Sequence, residues 1–165
     1  DGRTALEAIL DIIGDRGTYI ILGNGTSHLE AYFAEMAASR HNLIFLNGYS
    51  DHLSQELYKY GDLYLMPSSF EPCGISQMLA MRAKQPCLVS AVGGLRDTIR
   101  HMESGFVFYG DTAQEQAEAL VTTFKKVMGL YLHEPERWQK ICETAGEQRF
   151  TWEEAADQYI ELLYR

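Results

Sequence analysis

A chain of 165 residues with 46% hydrophobic content has the size and apolar fraction of one folded domain with its own core. A formal charge of −9 argues against the basic surface that nonspecific nucleic-acid binding needs, though a local positive field could still hold a small anion. No apolar run approaches the ~18 residues of a membrane span, and no secretory signal pattern opens the chain. Taken in order, short apolar runs predict buried strands at Thr18–Leu22, Asn42–Leu46, Asp62–Met66, Pro86–Ser90 and Gly105–Phe108. Tyr19 to Leu22 and Leu63 to Met66 are apolar throughout rather than alternating, as in parallel strands covered on both faces. Helical patterns lie between the runs, which is the rhythm of β-α-β crossovers. Thr112 with Glu115 forms a capping-box pattern that opens a helix to about Leu132. Pro135 suits the first turn of a helix over Glu136–Glu147, and Thr151 with Glu154 is a second capping box that opens a helix to Leu163. The expectation is one domain over residues 1–165: a parallel α/β sheet flanked by helices to about residue 110, then a helical tail over 111–165. Phe150, Trp152, Tyr159 and Tyr164 read as core residues of an amphipathic tail helix.

Four loops at predicted strand ends carry candidate chemistry. Gly23-Asn-Gly25 is either a ligand-side loop or a plain strand-to-helix turn needing positive φ. Gly48-Tyr49-Ser50-Asp51 offers a helix cap in Ser50 or Asp51. It also places Tyr49 at the carboxyl edge of the sheet, where a ring can stack on a base or simply pack. The stretch Pro67-Ser-Ser-Phe-Glu71-Pro-Cys73-Gly74-Ile75-Ser-Gln puts one carboxylate on a turn between a strand and a helix. A helix N-terminus suits phosphate, and Glu71 can accept hydrogen bonds from hydroxyls, so the pairing suggests a nucleotide-sugar. Gly93-Gly94-Leu95-Arg96 either permits close backbone approach to a ligand or is a plain strand-to-helix turn, and Arg96 reads as solvated ahead of a phosphate partner. The histidines show no metal spacing, His101 and Glu103 do not make a site, and neither a nucleophilic triad nor a Gly-rich P-loop is present. Cys73, Cys87 and Cys142 are odd in number and scattered, which points to a reducing, cytoplasmic setting without disulfides.

The blocks Pro67-Ser-Ser-Phe-Glu-Pro-Cys-Gly-Ile-Ser-Gln, Val92-Gly-Gly-Leu-Arg-Asp-Thr98, Gly105-Phe-Val-Phe108 and Phe150-Thr-Trp-Glu-Glu-Ala-Ala156 resemble the bacterial glycogen synthases and plant starch synthases. These are retaining glycosyltransferases of the GT-B architecture, with two Rossmann-like domains. The resemblance covers nearly the whole chain and concerns the C-terminal, nucleotide-sugar-binding half. It implies transfer of glucose from ADP-glucose or UDP-glucose to an α-1,4-glucan, with no metal or other cofactor. It also implies that Glu71 contacts the sugar hydroxyls, that Cys73, Gly74 and Ile75 lie along the sugar and diphosphate, that Tyr49 stacks on the base, and that Gly93 and Gly94 border the phosphates. Two departures stand out. Asp1-Gly2-Arg3 occupies the place of a phosphate-binding Lys-Gly, and the family's first strand is missing. The expectation is therefore a fragment without the N-terminal acceptor domain, inactive alone. Related transferases carry a second Glu eight residues after the first. Leu79 stands there, and glycogen synthases also lack Glu at that place. A related transferase with another acceptor, or a noncatalytic module that kept the fold, are the alternatives.

Overall fold

The structure, a computed structural model, describes residues 3–164. Asp1 and Gly2, the site of the first departure above, lie outside the described residues. The chain divides into two compact units. One comprises the chain through Leu57 together with Phe108–Glu134, and the other comprises Tyr58–Val107 and the helices from Pro135 onward.

In the first unit, α1 (Ala5–Ile13) is opened by a capping box in which Glu7 and Thr4 bond reciprocally. The Thr4 backbone N–H, and after it the Thr4 hydroxyl, hold the Glu7 carboxyl below its ordinary pKa. Strands β1 (Tyr19–Gly23) and β2 (Leu43–Asn47) pair in parallel, Tyr19 opposite Leu43 through Gly23 opposite Asn47, with α2 (Ser27–Ser39) as the crossover. Leu10, Met36 and Leu43 form the buried cluster, with Tyr19, Ile21 and Tyr32 against it. Buried Asn42 donates from Nδ2 to the carbonyls of Leu10 (2.7 Å) and Gly14 (3.1 Å), tying the end of α1 to the start of β2. Helix α3 (Asp51–Tyr60) begins after Ser50, whose Oγ accepts from the Leu53 N–H at 3.2 Å, as one of the two expected caps.

In the second unit, β3 (Tyr64–Met66), β4 (Cys87–Ser90) and β5 (Gly105–Phe108) form a sheet with β4 central, and β3 and β4 run parallel. Helix α4 (Ser76–Arg82) links β3 to β4, and α5 (Gly93–Thr98) follows β4. Every residue of β4 is buried, in keeping with its apolar run Cys87 to Val89. Ala80, Met81, Cys87, Val89, Leu95, Ile99 and Ala145 form the core, and burial raises the Cys87 thiol pKa strongly. Helix α7 (Pro135–Glu147) packs on α4 and stacks Trp138 against Phe106, with ring centroids 6.0 Å apart. The fold is α/β, with parallel strands flanked by helices, as expected, and the predicted strand positions match the observed strands to within two residues at either end.

Two expectations are corrected. The runs read as covered on both faces are not fully so: in β1 Ile20 is about two-fifths exposed, like its register neighbour Ile44 in β2, and Leu63 to Met66 are only half-buried. The tail aromatics are not core residues. Helix α8 (Trp152–Tyr164) has no buried residue, and Trp152 is 89% exposed. An apolar stripe shows that a helix has one sticky face; it does not show that the described chain supplies a surface to cover it.

Helix α6 (Ala113–His133) packs on α1 through a face that buries Leu120, Phe124, Val127 and Leu130. Both halves of its predicted capping box are present: Glu115 N–H donates to Thr112 Oγ1 at 3.2 Å, and Glu115 Oε2 accepts from Thr112 N–H at 3.0 Å. Replacing Thr112 with Ala leaves a first-turn donor without its acceptor, and should lower stability by about 1 kcal/mol in urea unfolding.

Candidate functional site

Parallel neighbours end on the same edge of a sheet, so the loops that leave β3 and β4 lie side by side. The first, Pro67 to Ile75, carries Glu71; the second is the turn into α5 at Gly93-Gly94. Their contact is backbone on backbone. A Cβ on Gly93 would stand 2.0 Å from the Glu71 carbonyl oxygen, and one on Gly94 would stand 2.1 Å from that of Cys73. The Gly94 N–H donates to Pro72 O at 3.2 Å. Gly93 also has φ +40, outside the usual range of L side chains. The two glycines that the sequence marks for close approach to a ligand therefore make a close approach first to the Glu71 loop.

The loop is held from below by side chains not singled out as candidates from the sequence. Gln77, fully buried, donates from Nε2 to Gly74 O (2.8 Å) and Cys73 O (3.2 Å), with Thr98 Oγ1 at 3.4 Å. Thr98 Oγ1 in turn donates to Gly94 O at 2.6 Å. Ser76 Oγ donates to Met66 Sδ at 3.4 Å, and Ser90 Oγ donates to Ser68 O. Gly74 takes φ +76, and a Cβ there would stand 2.4 Å from Gln77 Oε1. The available sequence signal was a glutamine followed by the apolar run Met78 to Met81, but a helical pattern alone does not tell which face is covered.

Above this support Glu71 is half-buried, and among the described residues it forms no ion pair. Cys73 and Ile75 are exposed, and the Cys73 thiol lies 3.6 Å from Gly74 O. Tyr49 belongs to the other unit. Gly48, at φ +139, donates its N–H to Gly23 O at 3.1 Å and turns the chain out of β2. Tyr49 is 82% exposed, and its hydroxyl donates to Asp51 Oδ1 at 2.5 Å, a bond that raises the phenol's pKa. The ring faces are left unstacked among the described aromatic pairs.

The remaining candidates are ordinary. Gly23 and Gly25 do not take positive φ; Gly23 ends β1, and the Gly25 N–H donates to Glu30 Oε1 at 3.0 Å. Arg96 is exposed beside Asp97, and His101 Nδ1 accepts from the Val107 N–H. Among the described residues no three His, Cys, Asp or Glu side chains gather to hold a metal, and no helix is long and apolar enough to cross a membrane.

The family model for glycosyl transferases group 1 matches residues 4–141. The chain is 39% identical over 150 residues to a glycogen synthase of Streptococcus gordonii, covering 87% of this chain and 31% of that protein. It is 32% identical over 169 residues to a glycogen synthase of Moorella thermoacetica, covering 98% of this chain and 34% of that protein. Among solved structures, the catalytic domain of starch synthase IV from Arabidopsis thaliana, bound to ADP and acarbose, superposes with a TM-score of 0.74 at 27% identity, over 98% of this chain and 36% of that chain. The chain spans about a third of the length of the curated relatives it matches.

Gly94→Ala tests the contact between the two loops. Its methyl group has only backbone to meet, so the loop must move or the turn must open. The expected loss is about 1–3 kcal/mol in urea unfolding, with a changed environment at Cys73.

Proposed function

The chain belongs to the group 1 glycosyl transferases, and on that premise we propose that it is the donor-binding half of a retaining glucosyltransferase that extends an α-1,4-glucan from ADP-glucose or UDP-glucose. The observation that carries this reading is the braced Glu71 loop. It leaves one half-buried carboxylate without an ion-pair partner among the described residues, beside N–H groups of Gly74 and Ile75 that donate to no described acceptor. A carboxylate accepts from sugar hydroxyls. Backbone N–H groups take phosphate oxygens.

In this reading Glu71 orients the glucose, and the Cys73-Gly74-Ile75 backbone follows the sugar and diphosphate. Gly93 and Gly94 border the phosphate side. During transfer the bond from C1 to the diphosphate oxygen breaks, and a bond from C1 to the acceptor's hydroxyl oxygen forms. The acceptor's proton leaves with the diphosphate. Negative charge grows on the departing oxygen, and fixed N–H donors favour that change over the ground state. The diphosphate is expected to need no metal or other cofactor. Tyr49, with its neutral, exposed ring, is proposed to stack on the base, and a glucan acceptor is proposed from the relatives' shared name. A cytoplasmic setting is proposed as well, supported by the three free cysteines.

The test is turnover by the protein expressed from its whole reading frame, with ADP-glucose or UDP-glucose and a glucan primer. Glu71→Ala should lower kcat by about a hundredfold or more. Turnover at the wild-type rate by that variant removes Glu71 from the site. Tyr49→Ala should raise the donor KM with kcat nearly unchanged, because stacking acts equally in ground and transition states. A fall in kcat with the donor KM unchanged would reject the stacking role.

A further inference from the structure

We propose that Gln77 is a positioning residue for donor transfer, acting through the Glu71 loop rather than by touching the donor; this rests on the donor-site reading above. The argument begins with an imbalance. Gln77 Nε2 carries two hydrogens and faces three acceptors: Gly74 O, Cys73 O and Thr98 Oγ1. Gln77 Oε1 is buried and has no hydrogen-bond partner among the described residues. An orphaned buried oxygen is a cost to stability. A methionine would fill the same space without that burden but would leave the Cys73 and Gly74 carbonyls without their donor, so what the amide contributes here lies in its NH2 group.

The amide does what an apolar chain cannot: it fixes two consecutive peptide planes. No described peptide is cis, and across a trans peptide the C=O and the following N–H point in opposite directions. Gln77 draws the carbonyls of Cys73 and Gly74 toward itself, so the N–H groups of Gly74 and Ile75 are aimed the other way. Those are the groups without a described acceptor. The brace continues through Thr98 Oγ1 to Gly94 O, and Gly94 N–H returns to Pro72 O. One buried amide thus orients two donors and ties the segment just after Glu71 to the neighbouring turn.

The test compares wild type, Gln77→Met and Gln77→Glu in the protein expressed from its whole reading frame. Gln77→Met removes the two carbonyl bonds and keeps the volume. It should retain the circular-dichroism spectrum and lower kcat by about 10- to 100-fold, since displacing reacting groups by about an ångström costs that much. The donor KM should move little, and the amide resonances of Gly74 and Ile75 should broaden or shift. Gln77→Glu turns a donor into an acceptor facing two carbonyls. A protonated carboxyl regains one donor, and burial raises its pKa, so kcat of this variant should rise as pH falls where wild type does not. Wild-type kcat and unshifted Gly74 and Ile75 resonances in Gln77→Met would overturn the proposal, as would a Gln77→Glu pH profile parallel to wild type. If wild type transfers no glucose, the donor-site reading fails, and the resonances still decide whether Gln77 orders the loop.

Discussion

The candidate site depends on one steric constraint: two strand-end loops run backbone against backbone at Gly93 and Gly94, with no room for a Cβ. That contact is available because β3 and β4 are parallel neighbours and release their chains on the same edge. Close packing lets the Gly94 N–H reach Pro72 O and lets Thr98 reach Gly94 O. The glycines therefore have a structural reason to be there that is independent of any ligand. The same contact sets where Glu71 and the free N–H groups stand.

Rigidity of this loop comes from below. Strand β4 is buried at every position, and α4 presents Ala80 and Met81 to the core beside Gln77. Ser90 and Ser76 add ties from the strand ends, to Ser68 O and to Met66 Sδ. A loop anchored at this many points keeps its donors oriented before a ligand arrives, which is the condition for electrostatic stabilisation without reorganisation. It also reconciles a charge of −9 with a proposed anionic donor. Fixed N–H dipoles act within a few ångströms, whereas net charge governs steering over a longer range.

Much was legible in the chain. The Thr112–Glu115 box, the Ser50 cap and the buried β4 follow from hydrogen-bonding chemistry and apolar runs that are local in sequence. The Glu71 loop was visible as an isolated carboxylate between a strand and a helix. Gln77 stood in the same block without declaring itself, because its partners include Thr98, twenty-one residues away. The tail showed the converse. Its aromatic stripe predicted a helix correctly and burial wrongly, since burial needs a partner surface that a stripe does not specify. Gly23 and Gly25 looked like positive-φ positions, and their backbones take ordinary conformations.

By itself the sequence determined the order of strands and helices, the caps, the α/β class and the family, because each rests on periodicity, local hydrogen bonds or a contiguous motif. Only the tertiary structure decided that β4 is central, that Gly93 and Gly94 lie against Glu71 and Cys73, and that Gln77 carries the loop's carbonyls. Those facts join residues far apart in the chain, and their contacts form only after β3 and β4 have paired.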